Sequence, residues 1–143
     1  MLLDVRTYKT LPGRVPAQLE LYRKFGYPVQ LRYMGEPLCY AVAETGELNT
    51  FTHIWVYESA ADREEKRARM AQDPDWKVYL AENAKAGHII EQKNTQMTPV
   101  AFAPPIPKAK IHPSGGLAFR HDPGRLRRRP GPPAPRGRGH DRL

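Results

Sequence analysis

The stretch LCYAVAETGELNTFTHIWVY, residues 38–57, decides the fold of this chain. Residues alternate between two sides over Leu38–Thr45, and Asn49–Tyr57 is rich in β-branched and aromatic residues, so both segments are predicted strands. The short turn Gly46-Glu47-Leu48 connects them. The two strands are therefore expected to pair as an antiparallel hairpin.

A strand and a helical region precede the hairpin. Leu2–Lys9 alternates between two sides, which is typical of a strand. The helical region carries apolar residues on one helical face: Val15, Leu19, Tyr22 and Phe25. We expect Gly26 to end this first helix and a short second helix to run from Pro28 to Tyr33.

Two helices and a last strand follow the hairpin. Ser59, with an acidic residue three places later, predicts the capped start of a helix over Ala60–Gln72. The pair Asp73-Pro74 predicts the start of a second helix, which Gly87 ends. The extended run 88–98 then predicts the last strand.

The resulting element order is β-α-β-β-α-β, with each helical region in two pieces. Two right-handed β-α-β crossovers joined by a hairpin give a four-stranded antiparallel sheet with helices on one face. The sequence therefore predicts an α+β, ferredoxin-like domain over residues 1–103.

Strand alternation sorts the residues of the predicted sheet into two faces. We expect the small or aliphatic face to lie under the helices: Leu3, Val5, Cys39, Ala41, Ala43, Ile54 and Val56. The other face carries rings and a few polar groups: Arg6, Tyr8, Tyr40, Glu44, Phe51, His53, Trp55 and Tyr57. Because so large an aromatic patch is unusual on a soluble monomer, we expect a homodimer whose aromatic faces close into an α/β barrel.

Residues 104–143 differ in composition from the rest of the chain. Residues 1–103 hold 13 Lys+Arg and 13 Asp+Glu, so the whole net charge of +8 lies in the remainder. This segment is rich in Pro and Gly, and Phe119 is its only aromatic residue. We predict a disordered tail, because few of its side chains could be buried to offset ~1–2 kcal/mol per residue of backbone ordering.

The tail leaves three interpretations open. Its arginines could bind nucleic acid or an anionic surface: Arg125, Arg127, Arg128, Arg129, Arg136 and Arg138. No aromatic residues are interleaved for base stacking, so nucleic acid is the less favoured partner. A solvated tail without a role, or the product of a GC-rich gene translated out of frame, is favoured instead.

Several functional classes lack their sequence signatures. The lone Cys39 cannot form an internal disulfide, and the five histidines lack metal-ligand spacing, so no metal site is expected. No phosphate-binding loop, glycine-rich dinucleotide turn or nucleophile elbow occurs, and no cofactor is expected. No apolar run approaches the roughly 20 residues that span a bilayer, and no signal peptide opens the chain. We expect a cytoplasmic protein without membrane insertion.

Five short motifs, in this order along the chain, resemble the NIPSNAP family. They are Leu3–Tyr8 with Leu11-Pro12-Gly13, Phe25-Gly26-Tyr27-Pro28, Glu44–Asn49, His53–Tyr57 and Asp73-Pro74-Asp75-Trp76. The resemblance covers about residues 2–100 and implies the ferredoxin-like fold of the dimeric α/β-barrel superfamily. That superfamily includes cofactor-free monooxygenases and haem-handling enzymes, whereas the family's bacterial members have no settled chemistry.

The aromatic face supplies the candidate ligand-binding residues: Arg6, Tyr8, Tyr40, Glu44, His53 and Trp55. Rings with a few polar groups are the usual lining of a small-molecule pocket. Arg6 would suit a carboxylate or enolate oxygen, and His53 is the catalytic candidate because it could move a proton near neutral pH. In the structural interpretation, His53 faces a glutamate, Arg6 and Glu44 form a buried pair, and Trp55 is packing.

Three functions remain open at this point. We expect a small-molecule-binding protein of the NIPSNAP type, with its ligand inside a dimeric barrel. The alternatives are a cofactor-independent monooxygenase or isomerase acting on a small apolar substrate, and a non-enzymatic protein-interaction module. A cavity of roughly a few hundred Å³ touching His53 would favour the enzyme, and a filled interior would favour the interaction module.

Overall fold

The computed structural model describes residues 1–112, which form a four-stranded antiparallel sheet with helices on one face. In chain order the elements are β1 (Leu2–Thr10), α1 (Val15–Leu21), a π-helical turn (Tyr22–Gly26), α2 (Tyr27–Tyr33), β2 (Cys39–Val42), β3 (Thr50–Tyr57), α3 (Ala60–Gln72), α4 (Pro74–Ala86) and β4 (Ile89–Met97). The strand order is β2-β3-β1-β4, and every neighbouring pair is antiparallel. This arrangement confirms the predicted α+β, ferredoxin-like fold.

The helices after the hairpin begin and end at the residues that the sequence indicates. The Asp62 N–H donates to Ser59 Oγ at 3.1 Å, and the Asp75 N–H donates to Asp73 Oδ1 at 2.8 Å. These bonds satisfy backbone donors that have no partner within the first turn of a helix. Gly87 follows α4 with φ of 63°, a left-handed conformation that glycine adopts without steric penalty.

The prediction that Gly26 ends the first helix is wrong. The helical run continues through the π-helical turn, in which the Tyr27 N–H donates to the Tyr22 carbonyl five residues back. Pro28 lies in the first turn of α2, where its missing N–H is tolerated. Gly26 is instead required for space, because a Cβ there would lie 2.8 Å from Tyr22 Cδ2 and 3.0 Å from Tyr79 Cδ2.

The helices cover the face of the sheet opposite to the one predicted. Trp55 and Tyr57 of β3 are buried against Val29 of α2 and Met70 of α3. The register places Arg6 beside His53, on the same face as these rings. Alternation along a strand shows which residues share a face, but it does not show which face the helices cover. The expectation that these rings close against a second copy is therefore wrong.

The outer face of the sheet is the aliphatic one. It carries the residues that we had expected under the helices, among them Leu3, Val5, Cys39, Ala41 and Ile54. Cys39 and Ala41 are exposed, and Leu3, Val5 and Ile54 are half-buried. Val56 on this face is buried, and residues 107–110 line a shallow groove beside it. Much of an apolar sheet surface is thus left without a covering layer in one protomer.

The segment after β4 runs to the C-terminal end of α2. The Glu36 N–H donates to the Lys110 carbonyl at 2.9 Å, and the His112 N–H donates to the Leu31 carbonyl at 3.0 Å. Residues 104–112 contain no helix or strand but are anchored by these bonds. The domain boundary at 103 stays a prediction. Residues 113–143, with the predicted arginine-rich stretch 125–138, lie outside the described residues.

Within residues 1–112, no helix has both the length and the apolar composition that crossing a membrane requires.

Candidate functional site

A cavity of about 550 Å³ lies between the sheet and the helices. The strands supply one wall: Arg6, Tyr8, Tyr40, Phe51, His53, Ile89 and Gln92. The helices, the π-helical turn and the end of α4 supply the other: Tyr22, Gln30, Arg67, Trp76, Tyr79, Leu80, Asn83, Ala84 and Gly87. The cavity therefore belongs to a single protomer.

Four of the six candidate ligand-binding residues lie together in the wall of this cavity: Arg6, Tyr8, Tyr40 and His53. Trp55 lies behind the wall and contacts His53. Glu44 is exposed and lies beyond the end of β2 at Val42, because that strand is shorter than predicted. Its placement in the site is therefore wrong.

The rings of the strand wall lie side by side across β1, β3 and β2. Tyr8 stacks on Phe51 and His53, with ring centroids 5.2 and 5.3 Å apart. Tyr40 stacks on His53 at 4.7 Å, and Tyr22 of the π-helical turn stacks on Tyr40 at 5.1 Å. The distances between rings on neighbouring strands are close to the spacing of the strands, so sheet pairing itself sets this part of the ring array. The result is a rigid aromatic surface.

His53 is a neutral hydrogen-bond donor at physiological pH. The Trp55 indole N–H donates to His53 Nδ1, so the ring proton of the neutral imidazole resides on Nε2. Burial, with the positive charge of Arg6, lowers the pKa of His53 from 6.5 to about 3. Among residues 1–112, His53 Nε2 has no hydrogen-bond partner, and it is available to a molecule in the cavity.

The predicted structural pairs involving glutamate are wrong as well. Tyr40, not a glutamate, lies opposite His53 on β2. Arg6 Nε donates to the Tyr8 hydroxyl at 3.0 Å, and Arg6 Nη1 lies 3.5 Å from Asp4 Oδ2. The carboxylate that pairs with Arg6 thus comes from its own strand, two residues earlier.

Three tyrosines of the cavity lining supply further hydroxyl groups. Burial raises the pKa values of Tyr22, Tyr40 and Tyr79, so all three phenols stay protonated across the physiological range. The Tyr22 hydroxyl donates to Gln30 Oε1. These side chains can orient a ligand through neutral hydrogen bonds.

The sequence missed the contribution of α3. The charged stretch Arg63–Arg69 is typical of a solvated helix face, but Arg63 and Arg67 turn toward the sheet. Arg63 Nε donates to Asp4 Oδ2 at 3.0 Å, and Arg67 lines the cavity one turn later. The signal was their i,i+4 spacing on a helix whose only buried residue is Met70.

The helix that roofs the cavity agrees better with the sequence. Four residues at helical spacing in the sequence form the face of α4 that lines the cavity: Trp76, Tyr79, Leu80 and Ala84. Gln18 of α1 donates to Asn83 Oδ1 at 2.8 Å and ties this roof to the first helix. Within the described residues, no group of three His, Cys, Asp or Glu side chains has a metal-binding arrangement.

Known proteins share both this sequence pattern and this fold. The NIPSNAP family model matches residues 3–104. A NipSnap homolog of Dictyostelium discoideum is 29% identical over 90 residues, which cover 63% of this chain and 40% of that protein. This chain therefore matches less than half of that relative. A solved NIPSNAP-family structure of unknown function, from Agrobacterium tumefaciens, is 35% identical with a TM-score of 0.67, and covers 73% of this chain and 92% of that one.

A more distant structure shares the fold alone. A protein from Nitrosomonas europaea, described as an antibiotic biosynthesis monooxygenase, matches with a TM-score of 0.52 at 10% identity. The match covers 70% of this chain and 99% of that one. At this level of identity the likeness concerns the arrangement of strands and helices and says nothing of activity.

Proposed function

Because the chain belongs to the NIPSNAP family and keeps a large cavity inside its own fold, we propose that it binds a small, flat organic molecule there. The observation that carries this proposal is the cavity of about 550 Å³ walled by aromatic rings. The cavity opens to solvent beside the end of α4, where Leu80, Ala84 and Gly87 of its lining are exposed. An aromatic cleft of this size, with a few convergent polar groups, is typical of a ligand site.

The wall of the cavity suits a planar ligand. Tyr8 stacks on Phe51 and Phe51 on Tyr40, so these rings cover much of one another's faces and would meet a ligand mainly with their edges. Ring edges pack well against the face of a planar ring, and side chains held by the sheet lose little freedom on binding. Polar groups at the rim of this surface, such as Gln30 and Asn83, would fix the orientation of the ligand. Apolar burial would supply the affinity and the polar groups the specificity.

The two alternative functions differ in how well this geometry supports them. An interaction module would fill its interior with its own side chains, which the cavity argues against. A cofactor-independent monooxygenase or isomerase remains an alternative, since the cavity touches His53. With a pKa of about 3, however, His53 would donate a hydrogen bond from Nε2 rather than act as a general acid near pH 7.

Native mass spectrometry of the full chain purified from its own host tests the binding proposal. We expect a co-purified molecule of a few hundred daltons, lost in Ala84→Trp, where the new ring would occupy the cavity. The control is Ala81→Trp, on the same helix but outside the cavity lining. Retention of the ligand by Ala84→Trp, or no ligand in any preparation, would contradict the proposal.

We propose in addition that two copies associate through the aliphatic outer faces of their sheets. Val5 and Ile54 are paired across β1 and β3 on that face, and neither lies under a helix. Every residue of β4 after Ile89 is exposed, so this long edge strand also lacks a covering layer. A two-fold dimer would cover both surfaces without altering the cavity.

Size-exclusion chromatography with light scattering tests the dimer. We expect a dimer at micromolar concentration, and a folded monomer for Ile54→Asp, whose charge would be buried between the sheets. Leu48→Asp, in the exposed hairpin turn, is the matched control and should remain dimeric. A monomeric wild-type chain would refute the proposed interface.

A further inference from the structure

The helical wall brings an excess of positive charge to one end of the cavity. Asp4 is fully buried, and its Oδ2 atom lies 3.5 Å from Arg6 Nη1 and 3.0 Å from Arg63 Nε. Arg67, one turn after Arg63 on α3, lines the cavity and forms no salt bridge with any carboxylate of residues 1–112. The cluster thus contains three guanidinium groups and one carboxylate.

No acidic side chain balances this charge from the cavity side. Arg6 and Arg67 are both in the lining, which contains no Asp or Glu. Arg67 is half-buried and has no carboxylate partner among residues 1–112, so a negative group in the cavity would form a charge-assisted contact with it. The positive charge of Arg67 is also felt at His53, whose pKa it helps to lower.

We propose that the ligand of this cavity is a planar aromatic carboxylate whose negative group binds Arg67 and Arg6. This inference rests on the proposed function and assigns the chemical class of the ligand. The aromatic part would contact the rings of the strand wall, and the carboxylate would lie at the end of the cavity that Arg67 of α3 and Arg6 of β1 line.

The hydrogen-bonding capacity of both arginines fits this assignment. Arg6 uses Nε for Tyr8 and Nη1 for Asp4, which leaves Nη2 without a partner among the described residues. A guanidinium group binds a planar carboxylate through two parallel hydrogen bonds, and Arg67, which lies near the Tyr57 hydroxyl, has no carboxylate partner among residues 1–112. The Nε2–H group of His53 offers one further donor in the same wall.

Isothermal titration of the full chain with 2-naphthoate and with 2-naphthamide tests the assignment at low salt. The two compounds have the same ring system and nearly the same shape, but only the first carries a negative charge. We expect 2-naphthoate to bind at least about tenfold more tightly, which corresponds to about 1.4 kcal/mol. Raising the salt concentration should reduce this difference.

Variants of α3 test which arginine causes the preference for 2-naphthoate over 2-naphthamide. Arg67→Gln should weaken the binding of 2-naphthoate about tenfold and that of 2-naphthamide much less, whereas Arg67→Lys should keep part of the preference. Arg69→Gln is the matched control, because Arg69 is exposed on the same helix, lies over the Tyr33 ring and is absent from the cavity lining.

The outcomes separate this inference from the proposed function. Equal binding of the two compounds would overturn the anionic assignment and leave small-molecule binding intact. An equal effect of Arg67→Gln and Arg69→Gln would overturn the role of Arg67. If neither compound binds, the assignment to aromatic carboxylates fails, and the native mass spectrum then decides separately whether the cavity holds a ligand of another class.

Discussion

The two faces of the sheet differ in the kinds of residue that they carry. The face under the helices carries a buried carboxylate, a buried guanidinium group and a buried imidazole, together with a set of rings. The outer face is aliphatic at one end, around Val5 and Ile54, and carries Thr, Lys and Glu side chains at the other, and much of it is uncovered among the described residues. A sheet that served only to support helices would be expected to show the reverse pattern. This difference is what the proposed ligand site on the covered face and the proposed dimer contact on the outer face would require.

Two neighbouring residues of β3 give the sharpest form of this comparison. Trp55→Ala should lower the free energy of unfolding by about 3–5 kcal/mol, since the Trp55 side chain is fully buried. Ile54→Ala, on the outer face, should have a smaller effect that depends on protein concentration if two copies associate there. Urea unfolding at two protein concentrations measures both effects. Equal losses for the two variants would break the distinction between the faces.

The buried charge cluster gives the next largest expected effect. Asp4→Asn removes the carboxylate shared by Arg6 and Arg63 and should destabilise the chain by about 3 kcal/mol, because two cations are left poorly compensated. Glu91→Gln is the control, since it breaks an exposed pair with Lys93 on β4 and should leave the stability nearly unchanged. Similar unfolding midpoints for these two variants would show that the cluster contributes little.

The pH dependence of stability is a third test of the covered face. The unfolded chain takes up a proton at His53 below about pH 6.5, but the folded chain does so only near pH 3. The contribution of neutral His53 is therefore complete above pH 6.5 and decreases as the pH falls toward 3. Between pH 7 and pH 5 the loss should be about 2 kcal/mol.

A histidine pair separates this effect from general acid sensitivity. His53→Gln should abolish that part of the pH dependence, whereas His88→Gln, at a histidine outside the cavity lining, should retain it. Urea unfolding curves at pH 7 and pH 5, recorded at one protein concentration, provide the comparison. An unchanged pH dependence in His53→Gln would mean that His53 is not held neutral.

Local sequence signals predicted most of the fold. The starts of α3 and α4 follow from Ser59 and Asp73, because a capping side chain acts on backbone groups within its own turn. Alternation grouped Arg6, Tyr8, Tyr40 and His53 correctly, because residues two apart on a strand share a face. Which side of the sheet the helices cover depends on tertiary contacts. The alternation pattern along a strand is the same whichever side they cover.

The rest of the site depends on contacts between elements distant in sequence. Arg67 reaches the cavity because α3 packs on β3 with one particular rotation, which a charged helix with few apolar residues does not reveal. Glu44 was misplaced because a strand end depends on where its partner stops pairing. The face assignment followed the usual rule that aliphatic residues pack under helices, and this chain departs from that rule at its site.

The π-helical turn Tyr22–Gly26 determines which side chains roof the cavity. Such a turn holds one residue more than an α-helical turn, so it is equivalent to a single-residue insertion. Deleting one residue there would restore a regular helix and rotate α1 by about 100° relative to α2. Gln18 would then turn away from Asn83. In an alignment of relatives, a one-residue gap at this place would therefore indicate a cavity of different shape.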